Sequence, residues 1–379
     1  MRVEEHGGSV SRSRFDGSAR DAWVLLRSGA SIHQLTGVLK GSAQPLSITY
    51  VGSLTQQEQC SAFFEGPWER HFTAALRPDV LAVVEPLPLP RSEVLRYSPF
   101  LDAILDVAPS VDAQIKGVRS KAHRRRLRKI SRGRDWTWTA SERPEDLEQF
   151  YTTLHRPYVD ARFGAKQRVV SIEELEQRLA HGGRVLTVLH QGEPVCGAAL
   201  FDTPDGLDYD RNGFRLDSLK SPVVLSERTA ALELAIFQLA QERQARTLFL
   251  GFCRALVDDG LFTHKRRLGC RFVPARGTSR SQLWVRPPLR PRFFAAVPLM
   301  MGPVGEFEVH VGLSRDSAPL SKIQWRARLK NFAIPAVQRA VVWTDVDAAD
   351  PHRVAFETSL RAALGKREVE IRLSPRAEG

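Results

Sequence analysis

The sequence predicts an α/β fold. Its central part, residues 111–287, is expected to be a mixed, largely antiparallel splayed sheet with helices on both faces. A smaller N-terminal α/β lobe at 21–110 and a C-terminal α/β segment at 288–379 flank it. Three observations predict this. Strand-like runs at 184–190, 195–202 and 207–211 follow one another across turns at 191–194 and 203–206, which reads as an antiparallel meander. Leu232, Ala235, Ile236, Leu239 and Ala240 then recur at i, i+3, i+4, i+7 and i+8, which buries one helical stripe against a sheet. The whole central order is strand, two helices, three strands, long helix, strand, short helix and two strands, a succession that random arrangement rarely reproduces.

Taken in order, residues 1–20 are polar and rich in glycine and serine, and read as a loose tail. Strand-like runs at 47–51 and 80–84 flank a helix-like run at 55–76, and Pro86, Pro88 and Pro90 break the lobe near its end. Ser120 caps a basic helix carrying Lys121, Arg124, Arg125, Arg126, Arg128 and Lys129, anchored by Leu127 and Ile130 and ended by Gly133. A strand at 136–139 precedes a helix opened by Pro144, with Glu145 and Asp146 suiting its dipole. Ser171 and Glu174 form a capping box, and Gly182-Gly183 stop that helix. Ser226 is read as the cap of the long helix. A strand at 247–252, a loop through Asp258-Asp259-Gly260, a short helix at 262–268 and strands at 270–274 and 282–285 complete the set. The tail reads as strands at 306–311, 340–343 and 368–372 with helices at 322–332 and 351–364.

With 42% hydrophobic and 26% charged residues, the chain has the composition of an ordinary globular protein. Four widely spaced cysteines, Cys60, Cys196, Cys253 and Cys270, form no CxxC pair, so a reduced cytoplasm is the simplest home. The N-terminus has no charged-then-apolar signal pattern, and no run approaches the roughly 20 apolar residues of a membrane span. The longest apolar run, 293–305, is broken by Pro298 and Pro303 and reads as buried packing between domains, with a peripheral membrane contact as the lesser reading. A formal charge of +12 favours anionic partners without choosing among them. The histidines lack metal-ligand spacing, Cys253 has no acid or histidine arrangement around it, and the acidic turn at 344–350 reads as a strand end, so no metal is expected.

Four stretches carry a resemblance. They are the arginine-rich segment 124–129, the acidic start Pro144-Glu145-Asp146-Leu147, the strand GAALFD at 197–202, and LFLGFCR with DDGLFTHKRRLGCRFV between 248 and 273. Together they resemble the FemAB-like, Fem-type branch of the GNAT acyltransferases. The resemblance implies a GNAT-like acyltransferase lobe, with residues 21–110 and part of the tail as a degenerate companion. It implies an acyl-CoA or aminoacyl-tRNA co-substrate, a small-molecule or lipid-linked amine acceptor, and tRNA as a partner. Lys265 matches the family's lysine beside the transferring carbonyl, where an ammonium would stabilise an oxyanion by roughly 3 kcal/mol. Asp210, Glu227 and His264 are candidate general bases, and Tyr209 a hydrogen-bond donor to the acceptor. Arg211, Gly213, Ser226, Gly251 and Gly260 would border the donor, and Arg124, Arg125 and Arg128 would meet phosphate. The loop from Arg211 to Pro222 lacks the family's pyrophosphate pattern, which weighs against coenzyme A and for an aminoacyl ester or another activated acyl group. The rival expectation is a non-catalytic GNAT-like protein that binds phosphate-rich partners or scaffolds a pathway.

Overall fold

A computed structural model describes residues 32–39, 45–51, 64–71, 80–84 and 94–374, apart from 164–169, 277–280, 303–305 and 316–319. The chain divides into two compact units. One is Leu101–Cys253 with Gly260–Val273; the other gathers the residues up to Phe100, Arg254–Asp259 and Pro274–Gly379.

Strands β1 (Ile32–Leu39), β2 (Pro45–Val51), β3 (Phe64–His71), β4 (Val80–Val84) and β5 (Leu95–Tyr97) share a six-stranded sheet with the later segment Ser281–Val285, in the order β3-β1-β2-β4-(Ser281–Val285)-β5. Segment 64–71 falls inside the run expected to be helical, and the structure corrects that expectation. Gly66 and Pro67 sit in its middle, where a helix would lose a hydrogen bond and clash. A strand tolerates proline at a sheet edge, and β3 is the edge strand. Its register against β1 slips between Thr36↔Glu69 and Val38↔Glu65, so the proline falls at the irregularity. The rest of the 55–76 run lies outside the described residues, as does Cys60.

The central unit is built on β6 (Phe100–Asp106), β7 (Trp136–Ser141), β8 (Gly183–His190), β9 (Glu193–Thr203), β10 (Gly206–Phe214), β11 (Thr247–Arg254) and β12 (Arg271–Pro274). They form one sheet in the order β12-β6-β11-β10-β9-β8-β7. β7 to β10 run as the expected antiparallel meander. Two strands change places relative to expectation. β6, assigned by sequence to the N-terminal lobe, lies between β12 and β11, whereas Ser281–Val285, expected to close this sheet, pairs with β4 and β5. Pairing partners are set by long-range packing, which local pattern does not encode.

Helices α1 (Val111–Gly117), α2 (Lys121–Arg132), α3 (Pro144–Phe150), α4 (Arg156–Phe163), α5 (Ile172–Leu179), α6 (Pro222–Glu242) and α7 (Gly260–Leu268) cover the sheet. A π-helical turn, Tyr151–His155, joins α3 to α4. Ser120 caps α2 and Ser171 caps α5 as expected, each side-chain oxygen accepting from the backbone three residues on. Leu147, Phe150, Leu154, Leu175 and Leu179 pack with Val185, Ala199 and Phe201 on one sheet face. Strand alternation turns Leu186, Ala198 and Leu200 to the opposite face, where α6 packs. α6 is buried on more than the expected stripe, because α1 and α2 cover its outer side; Leu127 and Ile130 of α2 are buried there.

In the other unit, β13 (Ser281–Val285) is followed by α8 (Arg290–Ala296), β14 (Leu299–Met301), β15 (Phe307–Leu313), α9 (Lys322–Leu329), β16 (Val337–Thr344), α10 (Pro351–Leu364) and β17 (Glu368–Leu373). β15, β16 and β17 are parallel neighbours with β14 antiparallel at the edge. The apolar run at 293–301 is core. Phe293, Phe294, Val297, Leu299 and Met301 are buried with Tyr97, Leu283, Val285, Val341 and Trp343, so this stretch offers no membrane-facing surface, and that reading is withdrawn. Among the described residues no helix is long and apolar enough to cross a membrane, and no group of three metal-ligating side chains occurs.

Candidate functional site

The site begins where two parallel strands part. β10 and β11 share register only at Gly206↔Thr247, Leu207↔Leu248 and Asp208↔Phe249, although β10 continues to Phe214 and β11 to Arg254. Two backbone irregularities part them. In β10, pairing with β9 slips between Tyr209 and Arg211, a bulge at Asp210 that bends the strand. In β11, Gly251 has φ 69°, a left-handed conformation that favours glycine. Consecutive carbonyls of a regular strand point to opposite sides, yet those of Gly251 and Phe252 both meet one ammonium: Lys265 Nζ donates to them at 2.9 and 2.8 Å. The parting therefore has a residue at its root. An antiparallel meander, a long helix and a parallel strand that splays from its neighbour make one recognisable arrangement. The central unit is GNAT-like in fold.

No protein-family model matches the sequence, and no curated protein matches it. Among solved structures, the chain is similar to the C-terminal DUF2156 domain of a putative lysylphosphatidylglycerol synthetase from Agrobacterium fabrum, at 14% identity and TM-score 0.36 over 69% of this chain and 86% of that one. It is similar to FemX at 11% identity and TM-score 0.38, over 73% and 94% of the two chains. A GCN5-related N-acetyltransferase from Kribbella flavida matches at 12% identity and TM-score 0.27, over 71% and 95%.

In the GNAT-like unit the candidate residues divide. Lys265 is buried at the root of the splay, with Gly251 beside it: a Cβ at Gly251 would lie 3.8 Å from Nζ and 3.7 Å from the Tyr209 carbonyl oxygen. Tyr209 stands where β10 leaves β11; burial holds its phenol proton on far above the ordinary range, and Asn212 Nδ2 donates to its oxygen at 2.8 Å. Asp210, a candidate base, accepts from Arg178 at 2.7 Å and from Arg211, a candidate at the donor, at 3.1 Å. Glu227 Oε1 lies 3.6 Å from Lys129 Nζ, its side chain 39% exposed.

Ser226 is corrected as the helix cap. The long helix starts at Pro222 and its cap is Ser221, whose side chain accepts from the Val224 amide, so Ser226 lies inside the helix. Gly213 packs against the π turn. A Cβ there would fall 2.5 Å from the His155 nitrogen and the Leu154 carbonyl carbon, so only glycine lets β10 meet the π turn. Gly260 opens α7 with nothing within 4 Å of a built Cβ. Of the three phosphate candidates, Arg124 turns back onto the Val118 carbonyl, while Arg125 and Arg128 are exposed on one face of α2 with Lys121 and Arg132.

The turn between β10 and α6 is closed by its own charges. Arg228, buried in the helix, reaches both oxygens of Asp217, one at 2.9 Å, and Ser218 Oγ; Arg215 adds a 3.0 Å bond to the same carboxylate. The Arg228 hydrogen bond holds the Asp217 carboxyl far below the usual carboxylate range. Arg228→Met is expected to loosen this turn and cost about 1–2 kcal/mol, discounted because Asp217 is 40% exposed. Urea unfolding of the variant measures it.

Sequence reasoning missed a buried carboxylate in the unit. Glu233 lies on the buried side of α6 at 7% exposure, between His123 of α2 and His264 of α7. Its Oε2 accepts from His123 Nε2. His264 Nε2 stands 2.8 Å from Oε1, an ion-pair distance. Burial opposes the Glu233 charge, but His264 and His123 outweigh it and bring its pKa from 4.5 down to about 2. A depressed folded-state value means the stabilisation is complete above the unfolded pKa and is lost as pH falls through the folded one. Wild type is therefore expected to lose stability between about pH 4.5 and 2, and Glu233→Gln to flatten that slope in an acid-unfolding series. One sequence signal existed: a glutamate in the middle of the otherwise apolar stretch Ala230 to Phe237.

Proposed function

We propose that the chain is an acyltransferase that moves an acyl or aminoacyl group from an activated donor, acyl-CoA or aminoacyl-tRNA, to an amine by direct attack at the splayed edge of β10. The observation that carries this reading is the three-residue pairing of β10 with β11, which leaves the edge of β10 beyond Asp208 without β11 as its partner. An extended donor with its own amides can add to such an edge as a further strand would. Lys265 sits at the root of that cleft and supports a positively charged floor beneath the reacting carbonyl. Between the donors, the closed Arg215–Asp217–Arg228 turn favours aminoacyl-tRNA, because both guanidiniums are spent on a carboxylate where a diphosphate loop would need them. The exposed stripe Lys121, Arg125, Arg128 and Arg132 suits phosphates of such a donor or of a lipid-linked acceptor.

The test is a thermal-shift and mass-spectrometric assay of the full chain with acetyl-CoA, bulk aminoacyl-tRNA and uncharged tRNA, using ethanolamine as acceptor. A true donor at about 100 times its Kd adds roughly 2.7 kcal/mol to stability, and its acyl group should appear as an amide on the acceptor. No shift and no amide with any donor would sink the proposal.

A further inference from the structure

Resting on that reading, we infer that His264 is the general base of the transfer and that Glu233 is its positioning residue, with His123 bracing the carboxylate from the other side. Three helices supply the three groups: α2 gives His123, α6 gives Glu233 and α7 gives His264. Their depth differs in a way that suits the roles. Glu233 is 9% and His123 13% exposed at the side chain, whereas His264 is 41% exposed, so the array runs from the interior out to solvent through one imidazole. The array meets the splay root through one helix: on α7, His264 directly precedes Lys265, whose Nζ holds the carbonyls of Gly251 and Phe252.

Glu233 beside Nε2 favours the tautomer protonated there, which leaves Nδ1 as the atom able to accept a proton. The step balances without a co-reactant. The neutral amine nitrogen attacks the donor carbonyl carbon; a C–N bond forms and the carbonyl π pair moves onto oxygen. Nδ1 takes one proton from that nitrogen. The oxygen pair returns, the bond from carbon to the ester oxygen or thioester sulfur breaks, and the leaving group departs with that pair and takes the proton from Nδ1. The products are an amide and the free tRNA hydroxyl or thiol. The imidazolium formed midway faces the Glu233 carboxylate, which is why a base at this position gains from it.

The groups facing His264 are Glu233 and, behind it, His123; Lys265 and Arg267 on its own helix oppose its charge, and the Tyr209 phenol and Cys270 thiol beside Glu233 stay protonated by burial. Burial lowers the His264 pKa, but Glu233 prevails and raises it above the ordinary histidine value. The rate should therefore rise with pH as His264 loses its proton, on a limb above the ordinary histidine range.

The test measures kcat and KM against pH for wild type, Glu233→Gln and His264→Ala, with donor-induced thermal shifts on each, using bulk aminoacyl-tRNA, acetyl-CoA and ethanolamine. His264→Ala is expected to lose about 100-fold in kcat and the pH limb with it, at unchanged donor shift. Glu233→Gln should move the limb to lower pH and lower the plateau about tenfold, with KM little altered. An active wild type whose limb survives in His264→Ala, or does not move in Glu233→Gln, overturns the assignment while leaving the transferase reading intact. A wild type that makes no amide at any pH overturns the transferase reading and this inference with it.

Discussion

Lys265→Met should lower stability by about 2 kcal/mol and abolish donor binding together with turnover. The ammonium holds two consecutive carbonyls that a regular strand would aim in opposite directions, and Gly251 at φ 69° makes that geometry reachable. Without the charge, the Gly251 and Phe252 carbonyls lose their charge-assisted partner, and β11 is released to close on β10. Phe252 is 58% exposed, so water can replace part of the loss, which keeps the stability cost moderate. The effect on function should be larger, about 100-fold or more, because the cleft itself depends on this contact. A lysine acting only on the oxyanion would give a different result: kcat would fall while donor affinity and unfolding midpoint stayed put. Equilibrium unfolding and donor-induced thermal shift of one variant separate the two roles.

Gly206→Ala should be at least as damaging. A Cβ at Gly206 would lie 1.9 Å from the Thr247 carbonyl oxygen, 2.8 Å from its carbonyl carbon and 2.9 Å from its nitrogen, all backbone atoms that cannot rotate away. The glycine also adopts φ 159°. Since Gly206↔Thr247 is the first of only three paired positions, the methyl group would dislodge the very start of the β10–β11 contact. A cost above about 3 kcal/mol follows, measured by urea unfolding. Gly260→Ala is the matched control. Nothing stands within 4 Å of its built Cβ, so stability should change by less than about 0.5 kcal/mol. Donor affinity in that control also reports whether the start of α7 borders the donor.

Much of the GNAT-like unit was legible where local chemistry decides structure. The β8 to β10 meander, the caps Ser120 and Ser171 and the proline start at Pro144 all follow from turn and capping residues, as does the helix Pro351–Leu364 of the other unit. The long helix was misjudged by five residues because two serines compete for its cap. Ser221 followed by Pro222 is the stronger signal, as proline at the first helical position has its φ preset and no amide to satisfy. Strand exchange was not legible: nothing local in β6 or β13 says which sheet each joins. The candidate base His264 could be named from sequence, but not its partners, since His123 lies 110 residues from Glu233 and only folding brings them together. The pairing of Asp210 with Arg178 was hidden for the same reason: it depends on α5 bringing Arg178 to β10.

Backbone hydrogen exchange along β10 and β11 tests the open edge most directly. In the unliganded chain, amides of 206–208 should be protected, whereas those amides of 209–212 that face away from β9, and those of 250–252, should exchange faster, and a bound donor should slow these latter amides selectively. Slow exchange across both strands before any donor is added, or rates unmoved by every donor offered, would contradict the account.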